Sequence, residues 1–166
     1  CGVYKTKDGN LISVINVMCR LIMDNIDDPF RKLDDVIEQV KMEHGKHTII
    51  VDVHGESTSE KMAIGHYLDG KVTAILGTHT HVPTADLQIL KKGTFYQTDL
   101  GMCGDYDSVI GMNKERCIQK FTKKFIKTRL EPANGEGTLS GTIINVDKEM
   151  KVCEFKQIFK GGRLNS

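Results

Sequence analysis

Two apolar runs rich in β-branched residues, Thr48 to Val53 and Val72 to Leu76, are joined by a segment that opens with Ser57-Thr58-Ser59-Glu60 and closes at Asp69-Gly70. Unbroken runs of this kind suit strands of a parallel sheet buried on both faces. The Ser-x-x-Glu pattern marks a helix start, because hydroxyl and carboxylate can each satisfy an orphan amide of the first turn. Strand, helix, strand is a right-handed crossover unit, which commits the chain to an α/β fold. In such sheets ligands collect where the carboxyl ends of the strands meet the loops. At that edge stand His54, directly after the first run, and Gly77-Thr78-His79-Thr80-His81, directly after the second.

Upstream, Gly2 to Lys5, a turn at Lys7-Asp8-Gly9-Asn10 and the run Leu11 to Met18 predict a hairpin. After Asp27-Asp28-Pro29, the residues Phe30, Leu33, Val36, Ile37 and Val40 recur at helical spacing, so a helix is expected to about His44, stopped by Gly45. On the helix begun at Ser57, His66, lying among Met62, Ala63 and Tyr67, is expected to pack, whereas His44 and His47 flank a turn and are expected to be exposed. Downstream come short strands near Leu87 to Leu90 and Thr94 to Thr98, then a Gly-rich loop from Gly101 to Gly111. A helix from about Asn113 to Phe125 and a closing hairpin, Thr138 to Val146 with Lys151 to Phe159, complete the chain. Residues 1–166 read as one domain.

With 23 basic and 22 acidic side chains the net charge is +1, which gives no reason to expect a nucleic-acid or membrane surface. The basic stretch Lys120 to Lys127, interleaved with Phe121, Phe125 and Ile126, reads as the wet face of a helix. Cys1, Cys19, Cys103, Cys117 and Cys153 are scattered and form no C-x-x-C pair, which fits the reduced thiols of a cytoplasmic protein rather than a disulfide framework or a thiolate zinc site. No apolar stretch approaches the length of a membrane span. The chain opens at Cys1 directly before a strand-like segment, and it is expected to be a piece of a longer protein.

The histidines carry the chemistry. In extended backbone, residues two apart project to one side, so His79 and His81 can converge on a single ion. With His54 from the neighbouring strand, three neutral imidazoles could occupy three positions around a divalent first-row metal. Glu56 and Asp52 are the nearest carboxylates and could orient a ligand from behind. Thr78 and Thr80 alternate with the paired histidines and could act in the same way or border the substrate. Gly101 and Gly104 lie in a loop that could line a substrate cleft or serve as plain turns.

The runs VDVHGESTSEKMAIGHYLDGKVTAILGTHTHVPTAD and TDLGMCGDYDSVIGM resemble the C-terminal half of the YmdB-like bacterial phosphodiesterases, a branch of the calcineurin-like metallophosphoesterases. The resemblance extends along nearly all of residues 1–160. It implies one half of a four-layer α/β/β/α sandwich and a centre of two divalent metal ions, usually iron or manganese. It also implies hydrolysis of phosphodiesters such as 2′,3′-cyclic nucleotides. By matching position, His54, His79 and His81 would be metal ligands.

The family's N-terminal half carries an Asp at the end of its first strand, a Gly-Glu-Asn element and a Gly-Asn-His element that includes the histidine assisting catalysis. None occurs here. No catalytic residue is therefore assigned within the chain, which is expected to be inactive alone and at most partly loaded with metal. A half-sheet would leave an edge and an apolar face uncovered, to be completed by an N-terminal partner chain or by another copy. The alternative is a non-catalytic interaction module, a degenerate remnant that keeps the fold. An amidohydrolase also uses His-x-His after a strand, but its barrel needs roughly 250 residues and carries the motif near its start.

Overall fold

The computed structural model describes residues 1–123 and 129–164. A hairpin opens the chain as expected, β1 (Gly2–Lys5) antiparallel to β2 (Leu11–Met18). The periodic stretch after Pro29 forms α1 (Pro29–His44), which buries Leu33, Ile37 and Val40 along one stripe. Its start is fixed by Asp28, whose carboxylate accepts the Phe30 N–H at 2.9 Å. Gly45, at φ 69°, ends it. There follow β3 (Thr48–His54), α2 (Thr58–Tyr67), β4 (Ala74–Thr78), β5 (Gln88–Ile89), β6 (Phe95–Gln97) and α3 (Lys114–Thr122). The closing hairpin is β7 (Leu139–Val146) and β8 (Val152–Lys160).

One sheet takes the strand order β1-β2-β3-β4-β6-β5, and the last hairpin forms a separate pair. The strands β2, β3, β4 and β6 run parallel, with β1 and β5 antiparallel at the two edges. Along β3, Ile49, Val51 and Val53 are buried and join Leu33, Ile37 and Val40 of α1 and Ile64 of α2 in the main core. The alternate residues Ile50, Asp52 and His54 are only half-buried. Burial on both faces, expected from the unbroken apolar run, therefore holds for one face alone. On the other face Val152, Ile144 and Val146 of the last hairpin pack against Ala74 and Phe95. That cover stops short of β2, where Val14 is 38% exposed.

The face of α2 differs from the expected one. Glu60, Lys61, Ile64 and Gly65 are buried, while Met62, Ala63, His66 and Tyr67 are exposed. Two causes are visible. The Tyr96 ring lies so close to Gly65 that a Cβ there would stand 2.6 Å from it. The polar ends of Glu60 and Lys61 find partners inside, so their stems count as core. Ser57 caps the helix, accepting the Glu60 N–H at 3.4 Å. The Glu60 carboxylate does not complete the capping box. It accepts the N–H groups of Arg20, at 3.0 and 3.1 Å, and of Leu21, at 2.8 Å, tying the loop after β2 to α2.

His44 is exposed, but His47 is buried, because its ring bonds Ser13 Oγ at 2.6 Å and the Gly45 carbonyl at 2.8 Å. The helix α3 buries only Cys117 and leaves Phe121 82% exposed. Phe125 and Ile126, expected on its continuation, lie outside the described residues. No helix among the described residues is long and apolar enough to cross a membrane.

Candidate functional site

The strands β3 and β4 end side by side, with His54 opposite Thr78 in register. Thr78 Oγ1 donates to Asp52 Oδ1 at 2.8 Å. A threonine hydroxyl has one proton to give, so His54 Nδ1, 2.9 Å from the same oxygen, must be the donor in its contact. The tautomer of His54 is thereby fixed, with the proton on Nδ1 and the lone pair on Nε2. Asn16 Nδ2 donates to the other Asp52 oxygen at 2.8 Å and holds that carboxylate in place.

Beyond β4 the chain is not extended. His79 has φ 106° and His81 φ 66°, left-handed conformations that cost a non-glycine residue about 1–3 kcal/mol each. The alternation expected to aim both rings to one side is therefore absent. Instead His79 turns its Nδ1 to within 3.1 Å of His54 Nε2, with the two rings edge to face at 4.8 Å between centroids. The far nitrogen of His79, Nε2, lies 3.2 Å from Glu56 Oε2. His81 Nδ1 donates to the Ile110 carbonyl at 2.8 Å.

The His54–His79 pair has the spacing a shared ion requires. Two imidazole nitrogens bound to one ion at about 2.1 Å stand about 3.0–3.4 Å apart, and the observed 3.1 Å falls in that range. The lone pair on His54 Nε2 already faces the gap. The donor set present is two imidazoles. Among the described residues, no group of three or more His, Cys, Asp or Glu side chains stands ready to hold a metal, and His81 does not join the other two.

The remaining candidates are held by residues that sequence reasoning passed over. Thr80 and Gly101 both bond the Asp99 carboxylate, which is buried against Lys61 of α2. Gly101, at φ 79°, sits where a Cβ would stand 2.7 Å from Tyr106 Oη. Gly104 exchanges backbone bonds with Thr138 at 3.0 and 2.8 Å, a link to the last hairpin. A signal for Lys61 was available in its place on the stripe Lys61, Ile64, Gly65, Leu68, where a solvated lysine does not belong.

Residues 1–158 match the YmdB-like protein family. The chain belongs to that family. It is 45% identical over 150 residues to a 2′,3′-cyclic-nucleotide 2′-phosphodiesterase of Bacillus subtilis (strain 168), an overlap that covers 89% of this chain and 55% of that protein. A hypothetical protein of Thermus thermophilus superposes with a TM-score of 0.85 at 38% identity, over 98% of this chain and 62% of the other. A phosphatase of Mycoplasma pneumoniae superposes with a TM-score of 0.83 at 35% identity, over 96% and 56%. The chain thus spans little more than half the length of these three proteins. Its mixed α/β architecture is shared with the two superposed structures over the matched part.

Proposed function

We propose that this chain supplies the histidine side of a metal-dependent phosphodiesterase acting on 2′,3′-cyclic nucleotides or similar phosphodiesters. The carrying observation is the Nε2 lone pair of His54, fixed through Thr78 and Asp52 and facing His79 Nδ1 across 3.1 Å. The activity named for the Bacillus relative supports the reaction class.

His54 and His79, joined by His81 once its ring leaves the Ile110 carbonyl, would hold a divalent metal such as iron or manganese. Such ions, when bound, polarise a phosphoryl group and acidify water. The chain's own residues orient the ligands. Thr78 keeps the proton of His54 on Nδ1, and Glu56 engages the nitrogen of His79 that faces away from His54. Thr80 and Gly101 pin the loop beside them to Asp99.

Neutral imidazoles do not draw two cations together to the roughly 3.5–4 Å of a binuclear site. The carboxylate ligands and the acid for the leaving group then come from an N-terminal segment or partner chain, and residues 1–166 hydrolyse nothing alone.

The test is hydrolysis of bis-p-nitrophenyl phosphate and 2′,3′-cyclic AMP with added manganese, with and without the N-terminal segment of a YmdB-like relative. Turnover is expected only in the complemented sample, and to be lost in His54→Ala and His79→Ala. A well-formed complex that stays inert would overturn the proposal in favour of a non-catalytic interaction module.

A further inference from the structure

The buried ion pair between Lys61 and Asp99 is the least expected feature of the interior. Its Nζ···Oδ2 distance is 3.2 Å and its side chains are 0% and 1% exposed. Such a pair is a poor device for stability alone, because two apolar side chains of similar volume commonly serve as well without the cost of desolvation. What apolar side chains could not do is grip peptide groups, and this pair grips the two that flank His79.

Lys61 Nζ donates to the Thr78 carbonyl at 3.2 Å, immediately before His79. Asp99 Oδ2 accepts the Thr80 N–H at 3.0 Å, immediately after it, together with the Thr80 hydroxyl at 2.8 Å. The carboxylate is itself anchored. Its residue donates an N–H to Thr84 Oγ1 at 2.9 Å, and its carbonyl accepts from Gln97 Nε2 at 3.0 Å. Gly77 makes the close approach possible, since a Cβ there would stand 1.7 Å from the Thr98 carbonyl oxygen. With both neighbouring peptides held, His79 is left at φ 106° with its ring against His54. Unfavourable backbone of this kind persists only where the surroundings over-determine it.

We propose that Lys61 and Asp99 are positioning residues for His79, a charged clamp that grips Thr78 and Thr80 and forces the backbone turn aiming the His79 ring at His54. The metal consequence rests on the function proposed above; the placement of the ring does not.

The Thr80 hydroxyl separates this clamp from simple packing. Thr80→Val keeps shape, branching and the backbone N–H bond to Asp99 but removes the hydroxyl bond, whereas Thr80→Ser keeps both bonds and loses the methyl. The 166-residue chain labelled with ¹⁵N-histidine reports His79 through its ring N–H and its contact with His54. Zinc, which imidazole sites bind more tightly than manganese, serves as the metal probe in competition with a chelating dye.

In wild type and Thr80→Ser, the His79 ring N–H is expected to be protected and to show a cross-ring contact. In Thr80→Val, ring exchange is expected to quicken at least about tenfold and zinc affinity to fall by about the same factor, the lower end of what orienting partners of metal ligands contribute. A Thr80→Val protein with the wild-type ring signature, or a Thr80→Ser protein without it, would overturn the clamp. If wild type shows the ring contact but takes up no zinc, the clamp stands and the metal reading fails.

Discussion

Thr78 Oγ1 lies 2.9 Å from His54 Nδ1 and gives its only proton elsewhere, to Asp52. That one contact decides which nitrogen of His54 is free to bind an ion. Replacing Thr78 with valine would preserve the β-branched shape of a strand residue while leaving Nδ1 without a partner. Zinc affinity is expected to fall about 10- to 100-fold, and ¹⁵N shifts of His54 are expected to report mixed tautomers. Unchanged affinity with an unchanged tautomer would remove Thr78 and Asp52 from the site.

Gly77 lets β4 lie against the chain at Thr98, with a would-be Cβ 1.7 Å from that carbonyl oxygen. A backbone atom cannot give way as the end of a flexible side chain can. Gly77→Ala is therefore expected to cost about 3 kcal/mol or more of stability, read by thermal or urea unfolding. A loss below about 1 kcal/mol would mean that the two segments part easily, and that the clamp around His79 is looser than its distances indicate.

What could be read beforehand follows from how local each cause is. The helix α1 and its stop at Gly45 rest on apolar spacing and a terminal glycine, both contained in a few adjacent residues. The strands of the sheet and the placement of His54 and His79 at its carboxyl edge were legible for the same reason. The face of α2 was not, because Lys61 and Glu60 are buried through partners 38 and about 40 residues away. His47 is buried for a similar cause, its contact with Ser13 lying 34 residues back. The bend that separates His79 from His81 depends on Asp99 and Ile110, and alternation along a strand cannot foresee it.

Asp86 provides the acid-side prediction. Burial works to raise its pKa, but the hydrogen bonds from Thr98 and Thr84 outweigh that and hold it below the ordinary carboxyl range. A depressed folded value stabilises the fold above the unfolded pKa of about 3.9 and is lost as pH falls through the folded value. Asp86→Asn is therefore expected to melt at a lower temperature than wild type near neutral pH. Below about pH 4 the two melting curves should converge. Parallel curves down to strong acid would show that Asp86 contributes nothing linked to its charge.

The thiols should divide by burial. Cys1, Cys103 and Cys153 are exposed, whereas Cys19 and Cys117 are buried. Burial pushes the Cys19 thiol up to about 11, helped by the nearby Glu60 charge, and the thiolate is the reactive form. Ellman's reagent at neutral pH should titrate the three exposed thiols promptly, with Cys19 reacting only on unfolding. Rapid native labelling of Cys19 would show that the junction between β2 and α2 opens readily.

Zinc-soaked crystals of this chain, with diffraction recorded at the zinc absorption edge, address the shared ion most directly. A single anomalous peak is expected about 2.1 Å from both His54 Nε2 and His79 Nδ1, with Thr78 still on His54 Nδ1 and Glu56 still on His79 Nε2. An empty gap at saturating zinc, with the two rings still hydrogen-bonded to each other, would contradict a metal centre built on this pair.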